Sequence, residues 1–492
     1  RNSIPPARVE RTSKGCALAM ADSFHCATSL WDMNHDLPDA QAIAARIPGD
    51  FTVGVATSSW QIEGDSQGRG RSIWDTFSET PGKVLDGATA DPACDHLAHI
   101  SEDLDLIQSL GVDAYRFSFS WPRLIPEGTG APAAKGLDVY DRLVEGILER
   151  NLTPYATLYH WDLPQALQDK GGWLNPDSHK WFADYAHLVA DHFGDRIDTF
   201  ATLNEPWVSA FLGYAAGIHA PGLTNPAQSL EAFYRLMVAS GHGLQALKSA
   251  GISNPGIVLN LTTILAEDDG VEHQAQIIDG LQNRMFLDLL AGRGLPADVV
   301  EATRSITDWD FVTEDGLRMA AEPVSWLGIN YYTPTRVAST PANAGKIVGQ
   351  NSSVYPGVSG VSFVPRAPRT AMGWEIDASS LTTTLLATQE RLPGVPLFVT
   401  ENGAAFHDVV QEDGIHDHQR VQYYADHLSA VFDAKDQGVD IRGYFAWSLF
   451  DNLEWAEGWT KRFGIIRVDA DTQKRTPKDS AHFLRDVFHS RP

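Results

Sequence analysis

The sequence predicts an α/β protein built as a single (β/α)8 barrel with long loops after its strands. Short apolar segments alternate with amphipathic segments whose apolar residues recur at helical spacing. The short segments are apolar throughout, as expected of strands that are buried on both faces of a parallel sheet. The alternation runs from residue 51 to the end of the 492-residue chain without a linker between domains. One closed barrel with insertions in its loops accounts for that length.

Each element of the barrel has a candidate in the sequence. Strands are predicted at residues 51–56, 114–118, 155–158, 199–203, 257–261, 326–329, 397–400 and 443–447. Helices are predicted at residues 102–110, 140–149, 181–193 and 421–433. Gly111, Gly194 and Gly438 follow helical segments and are expected to adopt the left-handed conformation that ends a helix. The longest loop, 333–373, is rich in Pro, Gly and Ser and follows the sixth strand.

The first 48 residues differ from the rest of the chain. They mix basic, polar and small residues with weak periodicity, and the first residue is Arg1. We expect residues 1–48 to be a poorly ordered extension, a tag remnant or the product of a misassigned start. Residues 49–490 are expected to form the barrel domain.

The composition excludes several functional classes. Lys and Arg total 38 against 63 Asp and Glu, so the net charge of −25 repels phosphate backbones and nucleic acid is not an expected partner. Three cysteines without a C-x-x-C pair indicate neither a disulfide framework nor a cysteine zinc cluster. No apolar run reaches the roughly 18 residues that span a bilayer. These features predict a cytoplasmic protein without a membrane partner, and they leave the oligomeric state open.

Polar residues follow the apolar strands at the ends that form the mouth of such a barrel, where active sites lie. In strand order they are Gln61 and Glu63; Arg116 and Trp121; His160, Trp161 and Asp162; Asn204 and Glu205; Asn330, Tyr331 and Tyr332; Glu401 and Asn402; and Trp447, Asp451, Asn452, Glu454 and Trp455. A single ionisable residue at a strand end is often part of a structural ion pair. Polar or aromatic residues at seven of the eight ends indicate a binding pocket.

Glu205 and Glu401 stand out because they follow the fourth and the seventh apolar strand. Burial at a strand end raises the pKa of a carboxyl group unless a cation or a hydrogen-bond donor compensates. The two strands lie far apart around a barrel, so the two side chains can face each other across its mouth. Two carboxylates around a pocket that binds hydroxyl groups are the arrangement that glycoside hydrolysis needs. The alternative is that one of them forms a structural salt bridge.

Several motifs, in this order, resemble glycoside hydrolase family 1, the β-glucosidase and β-galactosidase family. The motif around Glu205 is T-L-N-E-P, and the motif around Glu401 is V-T-E-N-G. Other similar motifs are Q-I-E-G (61–64), Y-R-F-S (115–118), Y-H-W-D-L-P (159–164) and the segment 447–455. The resemblance covers roughly residues 51–485 and implies a TIM barrel.

The resemblance implies roles for the two glutamates and their neighbours. Glu401 matches the nucleophile and Glu205 the acid/base of a retaining mechanism, whose carboxyl groups lie about 5–5.5 Å apart. Arg116 and the Tyr332 hydroxyl are expected to favour the ionised form of Glu401.

The resemblance also implies a set of substrate-binding residues. They are Gln61, His160, Asn204, Asn330, Tyr332, Trp374, Trp447, Glu454 and Trp455. Asn204 matches the ligand of the sugar 2-hydroxyl, and Trp447 matches the platform under the sugar ring. Trp374, like Trp207, matches the aglycone side. Glu454 stands where phospho-β-glycosidases of the family have a small hydroxyl residue, so a non-phosphorylated sugar is expected.

The function implied by the resemblance is that of a retaining exo-β-glycosidase. A β-glucosidase of this kind removes terminal β-D-glucosyl residues and also galactosyl or fucosyl residues. Its expected substrates are β-glucosides and short β-linked oligosaccharides, as in cellulose degradation, and it is expected to need no metal or cofactor. The alternatives are a β-galactoside specialist, a transglycosylase with the same site, and a sugar-binding barrel without catalytic activity.

Overall fold

The computed structural model describes residues 38–339 and 352–492, and its centre is a closed barrel of eight parallel strands. These strands are β1 (Thr52–Ala56), β2 (Ala114–Ser118), β3 (Thr153–Tyr159), β4 (Thr199–Asn204), β5 (Asn254–Asn260), β6 (Trp326–Asn330), β7 (Leu397–Asn402) and β8 (Ile441–Ala446). Each strand pairs with its neighbours in chain order, and β1 closes the barrel by pairing with β8, with Val53 opposite Tyr444. The predicted (β/α)8 barrel is confirmed.

Helices follow the strands and surround the barrel. The main helices after β1 to β8 are, in order, Ile100–Ser109, Ala134–Glu149, Ser178–Phe193, Pro226–Ser249, Glu272–Asp279, Ala378–Arg391, His418–Asp436 and Asp479–His489. The other α-helices are Ala40–Ala44, Ser59–Ile62, Ile73–Ser78, Trp121–Leu124, Gln165–Gln168, Met285–Leu290, Ala297–Ala302 and Glu314–Ala320. Each of the four predicted helices overlaps a main helix of the barrel.

Two of the three predicted glycine caps have the expected conformation. Gly111 and Gly438 have φ angles of +70° and +97°, in the left-handed region. The prediction for Gly194 is wrong, because its φ of −69° is right-handed. A Cβ atom at Gly194 would lie 2.4 Å from the carbonyl oxygen of Ala190, so close packing and not handedness requires glycine there.

The interior of the barrel is filled by aromatic rings. The ring of Tyr155 lies 4.9 Å from that of Phe445 and 6.0 Å from that of Phe398, centroid to centroid. Trp326 packs edge-on against Phe398 at 5.5 Å. A Cβ atom at Gly54 of β1 would lie 2.4 Å from the ring of Phe445, so only glycine fits beside it. This filling leaves the carboxyl ends of the strands as the open mouth.

Residues 38–48 pack with the barrel and not apart from it. Asp39 caps the helix Ala40–Ala44 by accepting hydrogen bonds from the backbone of Gln41 and Ala42, at 2.9 and 3.3 Å. Ile43 and Ile47 are buried in the main core. Apolar residues of the stretch 38–48 cover the helices His418–Asp436 and Asp479–His489. The barrel domain therefore begins before residue 49. The predicted extension at residues 1–37 lies outside the described residues.

The segment predicted as the longest loop contains two short strands. Thr335–Ala338 and Ser362–Phe363 form a three-stranded sheet with Ile264–Ala266, which follows β5. This pairing joins segments that are distant in sequence, so local periodicity does not reveal it. Residues 340–351 of the predicted loop lie outside the described residues. In the described part of the chain, we find no helix with the length and apolar character of a membrane span.

A buried network of charges ties the loops after β7 and β8 to the last helix. Lys478, which precedes that helix, donates to Asp451 at 2.8 Å and to Asp408 at 2.5 Å. Arg420 also pairs with Asp408, at 3.1 Å, and with Asp417. All five side chains are almost entirely buried. The loop that carries Glu454 is thus fixed by a cation near the end of the chain.

Candidate active site

The ladders that β4 and β7 form with neighbouring strands become irregular at the carboxyl ends of these two strands. The register shifts between Ala201 and Asn204 on β4, and between Val399 and Glu401 on β7. Irregular pairing re-aims side chains at the end of a strand. Glu205 follows with a φ of +47°, a left-handed conformation that costs a non-glycine residue free energy. Both glutamates are buried.

Glu401 is held by one cation and one hydroxyl group. The Nη1 of Arg116 donates to Oε1 at 2.6 Å, and the hydroxyl of Tyr332 donates to Oε2 at 2.6 Å. Arg116 is itself buried, and its Nη2 donates to the side-chain oxygen of Asn204 at 2.6 Å. The two contacts expected from the sequence are present, and they fix the orientation of the Glu401 carboxyl group.

Glu205 has a different environment, without an ion pair to any described residue. The amide nitrogen of Asn330 donates to its Oε1 at 2.5 Å and lies 3.1 Å from the side-chain oxygen of Asn204. Thr400 fixes this amide by donating its hydroxyl to the Asn330 oxygen at 2.7 Å. Asn330 therefore links the ends of β4 and β7 and leaves Glu205 with a neutral donor only.

The two environments separate the proton affinities of the glutamates. Burial and then the negative charge of Glu401 raise the pKa of Glu205 well above its usual range. Burial also raises the pKa of Glu401, but the Arg116 charge and the Tyr332 hydrogen bond oppose that rise. Arg116 and Tyr332 thus favour the ionised form of Glu401, and burial opposes them. One proton shared by the pair will reside on Glu205.

His160 presents a free donor beside this pair. The Asn204 amide oxygen accepts from Arg116, so its nitrogen faces His160 and donates to Nε2 at 3.1 Å. Burial, together with the nearby charge of Arg116, lowers the pKa of His160 well below its usual value, so the ring is neutral. Its proton is therefore on Nδ1, which is buried and finds no partner within residues 38–339 and 352–492. A buried donor without a partner suits a hydroxyl group of a ligand.

Glu454 presents a free carboxyl oxygen to the same space. Its Oε2 is buried and has no hydrogen-bond partner among the residues that the structure describes. Burial, followed by the charges of Glu401 and Glu457, raises the pKa of Glu454 to about 8. Gln61 already makes hydrogen bonds within the protein: it donates to Leu453 at 2.8 Å and accepts from Ser58 at 2.6 Å. Gln61 thus fixes the loop that carries Glu454.

Aromatic residues line the remaining walls. Trp455 stacks on Trp60 with centroids 5.4 Å apart, and His160 lies 5.9 Å from both Trp455 and Trp447. Trp374 packs against Tyr332 at 5.5 Å. Of these side chains, Tyr332, Trp374 and Trp455 line a cavity of about 1250 Å³. The other predicted residues that line this cavity are Trp161, Glu205, Trp207, Asn330 and Glu454.

Comparison with known proteins agrees with this geometry. Residues 43–491 match the sequence model of Glycosyl hydrolase family 1. The chain belongs to this family. It is 41% identical to "Beta-glucosidase A" of Thermotoga maritima over 450 residues, covering 90% of this chain and 97% of that protein. It is 43% identical over 453 residues to "Bifunctional beta-D-glucosidase/beta-D-fucosidase" of Bifidobacterium breve, covering 89% of this chain and 97% of that one.

A solved structure of the family superposes closely on the fold. The β-glucosidase from Thermotoga maritima in complex with deoxynojirimycin has a TM-score of 0.83 at 40% identity, covering 90% of this chain and 99% of that one. The predicted family and the predicted enzyme class, a glycoside hydrolase of family 1, are therefore confirmed.

Glu63 and Asp451 are among the strand-end residues of this family 1 chain that do not line the cavity as expected. Glu63 accepts from Arg123 at 2.9 Å and from the Tyr140 hydroxyl at 2.5 Å, so it belongs to a buried structural ion pair. Asp451 belongs to the Lys478 network. Both lie beyond the last residue of their strand, where the loop turns their side chains away from the cavity.

Several residues of the family 1 site carry no signal in the sequence. Tyr355 and Phe363 line the cavity from the segment predicted as the longest loop. Gln282 also lines it and accepts from the Tyr355 hydroxyl at 3.0 Å. Gln282 lies in the irregular helical segment Gly280–Arg284, far along the chain from its partner. Such long-range pairs have no local pattern that would reveal them.

The raised pKa of Glu454 has a consequence for stability. Glu454→Gln is expected to be more stable than the wild type at pH 8, and the difference should shrink toward pH 5. The unfolded carboxyl ionises near 4.5, whereas the folded one keeps its proton up to a pKa of about 8. In that interval the unfolded state binds fewer protons, so wild-type stability falls as pH rises. Glutamine has a similar shape and does not titrate, so the variant escapes this loss.

The measurement is the Tm of both proteins across this pH interval. Glu390→Gln, at an exposed position on the helix Ala378–Arg391, is the control. A pH-dependent gain of equal size in the control, or no gain in Glu454→Gln, would contradict the burial of a protonated Glu454.

Proposed function

We propose that this family 1 enzyme is a retaining exo-β-glycosidase in which Glu401 is the nucleophile and Glu205 the acid/base. The observation that carries the proposal is the contrast between the two buried glutamates. Glu401 is oriented by Arg116 and Tyr332, whereas Glu205 has only the neutral amide of Asn330. A mechanism with one anionic nucleophile and one protonated acid needs this contrast.

The first step forms a covalent glycosyl-enzyme. The Glu401 carboxylate attacks the anomeric carbon, and the bond to the leaving oxygen breaks while Glu205 transfers its proton to that oxygen. The new ester removes the negative charge of Glu401, which is one cause of the raised pKa of Glu205. Glu205 then acts as a base: it takes a proton from water, which attacks the anomeric carbon and releases the sugar.

The other site residues bind and orient the sugar. The Nδ1 hydrogen of His160 and the free oxygen of Glu454 each offer a hydrogen bond to a hydroxyl group. Trp447 and Trp455 supply apolar faces for the ring, and Asn204 stands beside the nucleophile to meet the 2-hydroxyl. Gln61 holds the Glu454 loop through Leu453 and is proposed to meet a sugar hydroxyl with the second lone pair of its amide oxygen.

The substrate proposed is a non-phosphorylated β-D-glucoside, with β-fucosides and β-galactosides as further substrates. Glucosidase and fucosidase both occur in the name of the Bifidobacterium breve relative. A buried carboxyl that resists ionisation, as Glu454 does, suits a neutral hydroxyl better than a phosphate dianion. Short β-linked oligosaccharides, as in cellulose degradation, fit a cavity of about 1250 Å³. The cytoplasmic location stays a prediction.

The test is a panel of chromogenic aryl β-glycosides at pH values from 5 to 8. We expect hydrolysis of the β-glucoside, with slower turnover of the β-galactoside and β-fucoside. A higher rate on the galactoside would favour the galactoside specialist, and oligosaccharide products at high substrate concentration would favour the transglycosylase. No hydrolysis by folded protein would favour the sugar-binding barrel.

Glu454→Ser tests the proposed sugar contact. The substitution removes the carboxyl group and its hydrogen bonds to the sugar, so kcat/KM on aryl β-glucosides should fall roughly 10- to 100-fold. The loss should appear in kcat as well as KM, because binding energy from remote hydroxyl groups is used at the reacting carbon. An unchanged kcat/KM would remove Glu454 from the sugar site.

A further inference from the structure

A cluster of two histidines and one carboxylate lies outside the catalytic cavity. His416 lies two residues before the helix His418–Asp436, and His418 is the first residue of that helix. Asp479 is the first residue of the last helix. One potential ligand atom from each lies within 4.8 Å of the others. We propose that His416, His418 and Asp479 form a binding site for one divalent transition-metal ion of the zinc type.

The spacing of the donor atoms agrees with such a site. Nδ1 of His416 lies 2.9 Å from Oδ2 of Asp479, and Nε2 of His418 lies 3.2 Å from the same oxygen. Ligands of a tetrahedral zinc ion at about 2.0–2.1 Å stand about 3.3 Å from one another, so small movements suffice. Two imidazole nitrogens and one oxygen suit zinc, nickel or copper better than calcium or magnesium, which prefer oxygen ligands.

A fourth residue orients the first histidine. Oδ1 of Asp413 lies 3.2 Å from Nε2 of His416, so with a metal ion on Nδ1 the Nε2 proton would be donated to Asp413. A carboxylate behind a ligating histidine is the usual arrangement that fixes its tautomer at metal sites. Asp413 is not itself a proposed ligand, and its contact would hold His416 in the tautomer that binds a metal through Nδ1.

The backbone on both sides of the cluster is already fixed. The amide of Asp479 donates to the carbonyl of Ile415 at 3.1 Å. Asp417, between the two histidines, accepts from the backbone and the hydroxyl of Ser480 at 2.8 and 2.6 Å. The ligands therefore need little ordering when a metal binds, which lowers the entropic cost of the site.

The ion would join the loop after β7 to the last helix, beside the Lys478 network. None of the three ligands lines the catalytic cavity, so the expected effect is on stability and not on the reaction. A ligand that binds only the folded state raises Tm by mass action. At a hundredfold excess of zinc over its Kd, we expect a rise of about 3 °C for a chain of this length.

The experiment is a zinc titration of the full chain after EDTA treatment and dialysis, followed by calorimetry and by Tm. His416→Ala and His418→Ala should each lose one equivalent of bound zinc and the rise in Tm. The matched control is His482→Ala, an exposed histidine on the last helix, which should keep both. Asp413→Asn should keep the equivalent but bind it about tenfold more weakly. Zinc should leave kcat/KM on an aryl β-glucoside unchanged.

Two results would overturn the proposal. One is wild-type protein that binds no zinc at concentrations up to about 100 μM, where weak surface sites already fill. The other is the same number of bound ions and the same rise in Tm in both histidine variants as in the wild type. In that case zinc binds elsewhere, for example at the cysteines and histidines of residues 1–37.

Discussion

Glu401→Gly is expected to lose hydrolysis by about 10⁴-fold or more, because no covalent glycosyl-enzyme can form. Added azide should restore turnover of an activated aryl β-glucoside. The small anion enters the space that the carboxylate leaves and attacks from the same face. One displacement inverts the anomeric carbon, so the product should be the α-glycosyl azide. The measurement is the rate with and without azide, together with the anomer of the product by NMR.

The control for this experiment is the wild type with the same azide. It should hydrolyse the substrate without forming α-glycosyl azide, because the carboxylate occupies the attacking position. Equal Tm values for variant and wild type establish that lost activity is not lost folding. A folded Glu401→Gly variant that hydrolyses normally would remove Glu401 from the role of nucleophile.

Glu205→Ala is expected to fail at a different step. Substrates with good leaving groups need little protonation, so the enzyme should still be glycosylated and then stall, with turnover about 10²- to 10⁴-fold lower. Azide should release the sugar as the β-glycosyl azide, because it replaces water on the opposite face and a second inversion occurs. Alanine is preferred to glycine here because Glu205 has a φ of +47°, and glycine would also relax the backbone.

The two products separate the two glutamates. If the anomers are exchanged between the variants, the roles of Glu205 and Glu401 are reversed. If azide rescues neither folded variant, the retaining mechanism loses its support. An aryl glucoside with a poor leaving group adds a second check, because only Glu205→Ala should become more sensitive to the leaving group than the wild type.

The sequence predicted the barrel and both glutamates because each depends on local pattern. Strands buried on both faces are continuous apolar runs, so their ends mark the mouth, and Glu205 and Glu401 stand at two of those ends. Arg116 was expected beside Glu401 and lies 2.6 Å from it. The polar character of a strand end did not, however, distinguish Glu63, which belongs to a structural ion pair.

The rest of the site depends on contacts between distant segments. Gln61 has a polar side chain at the right place, but its hydrogen bonds to Leu453 and Ser58 depend on the fold. The pKa of Glu454 depends on how deeply the fold buries it, which no motif states. The contact between His416 and Asp479 also depends on the fold, because the two residues are 63 positions apart in the chain and 2.9 Å apart in the structure. No local pattern in the sequence indicated that pair.

The position of Lys478 near the end of the chain has a consequence for synthesis in the cell. Lys478 fixes the loop of Glu454 through its ion pair with Asp451. Asp451 precedes Lys478 in the chain, so the ribosome adds the lysine after its partner. A nascent chain therefore contains both glutamates and all eight strands before Lys478 is added. Because synthesis proceeds from the amino terminus, the loop of Glu454 is secured only after all eight strands have been made. A chain that stops before Lys478 is expected to form the barrel strands without the cation that holds Asp451, so the loop of Glu454 would lack this anchor.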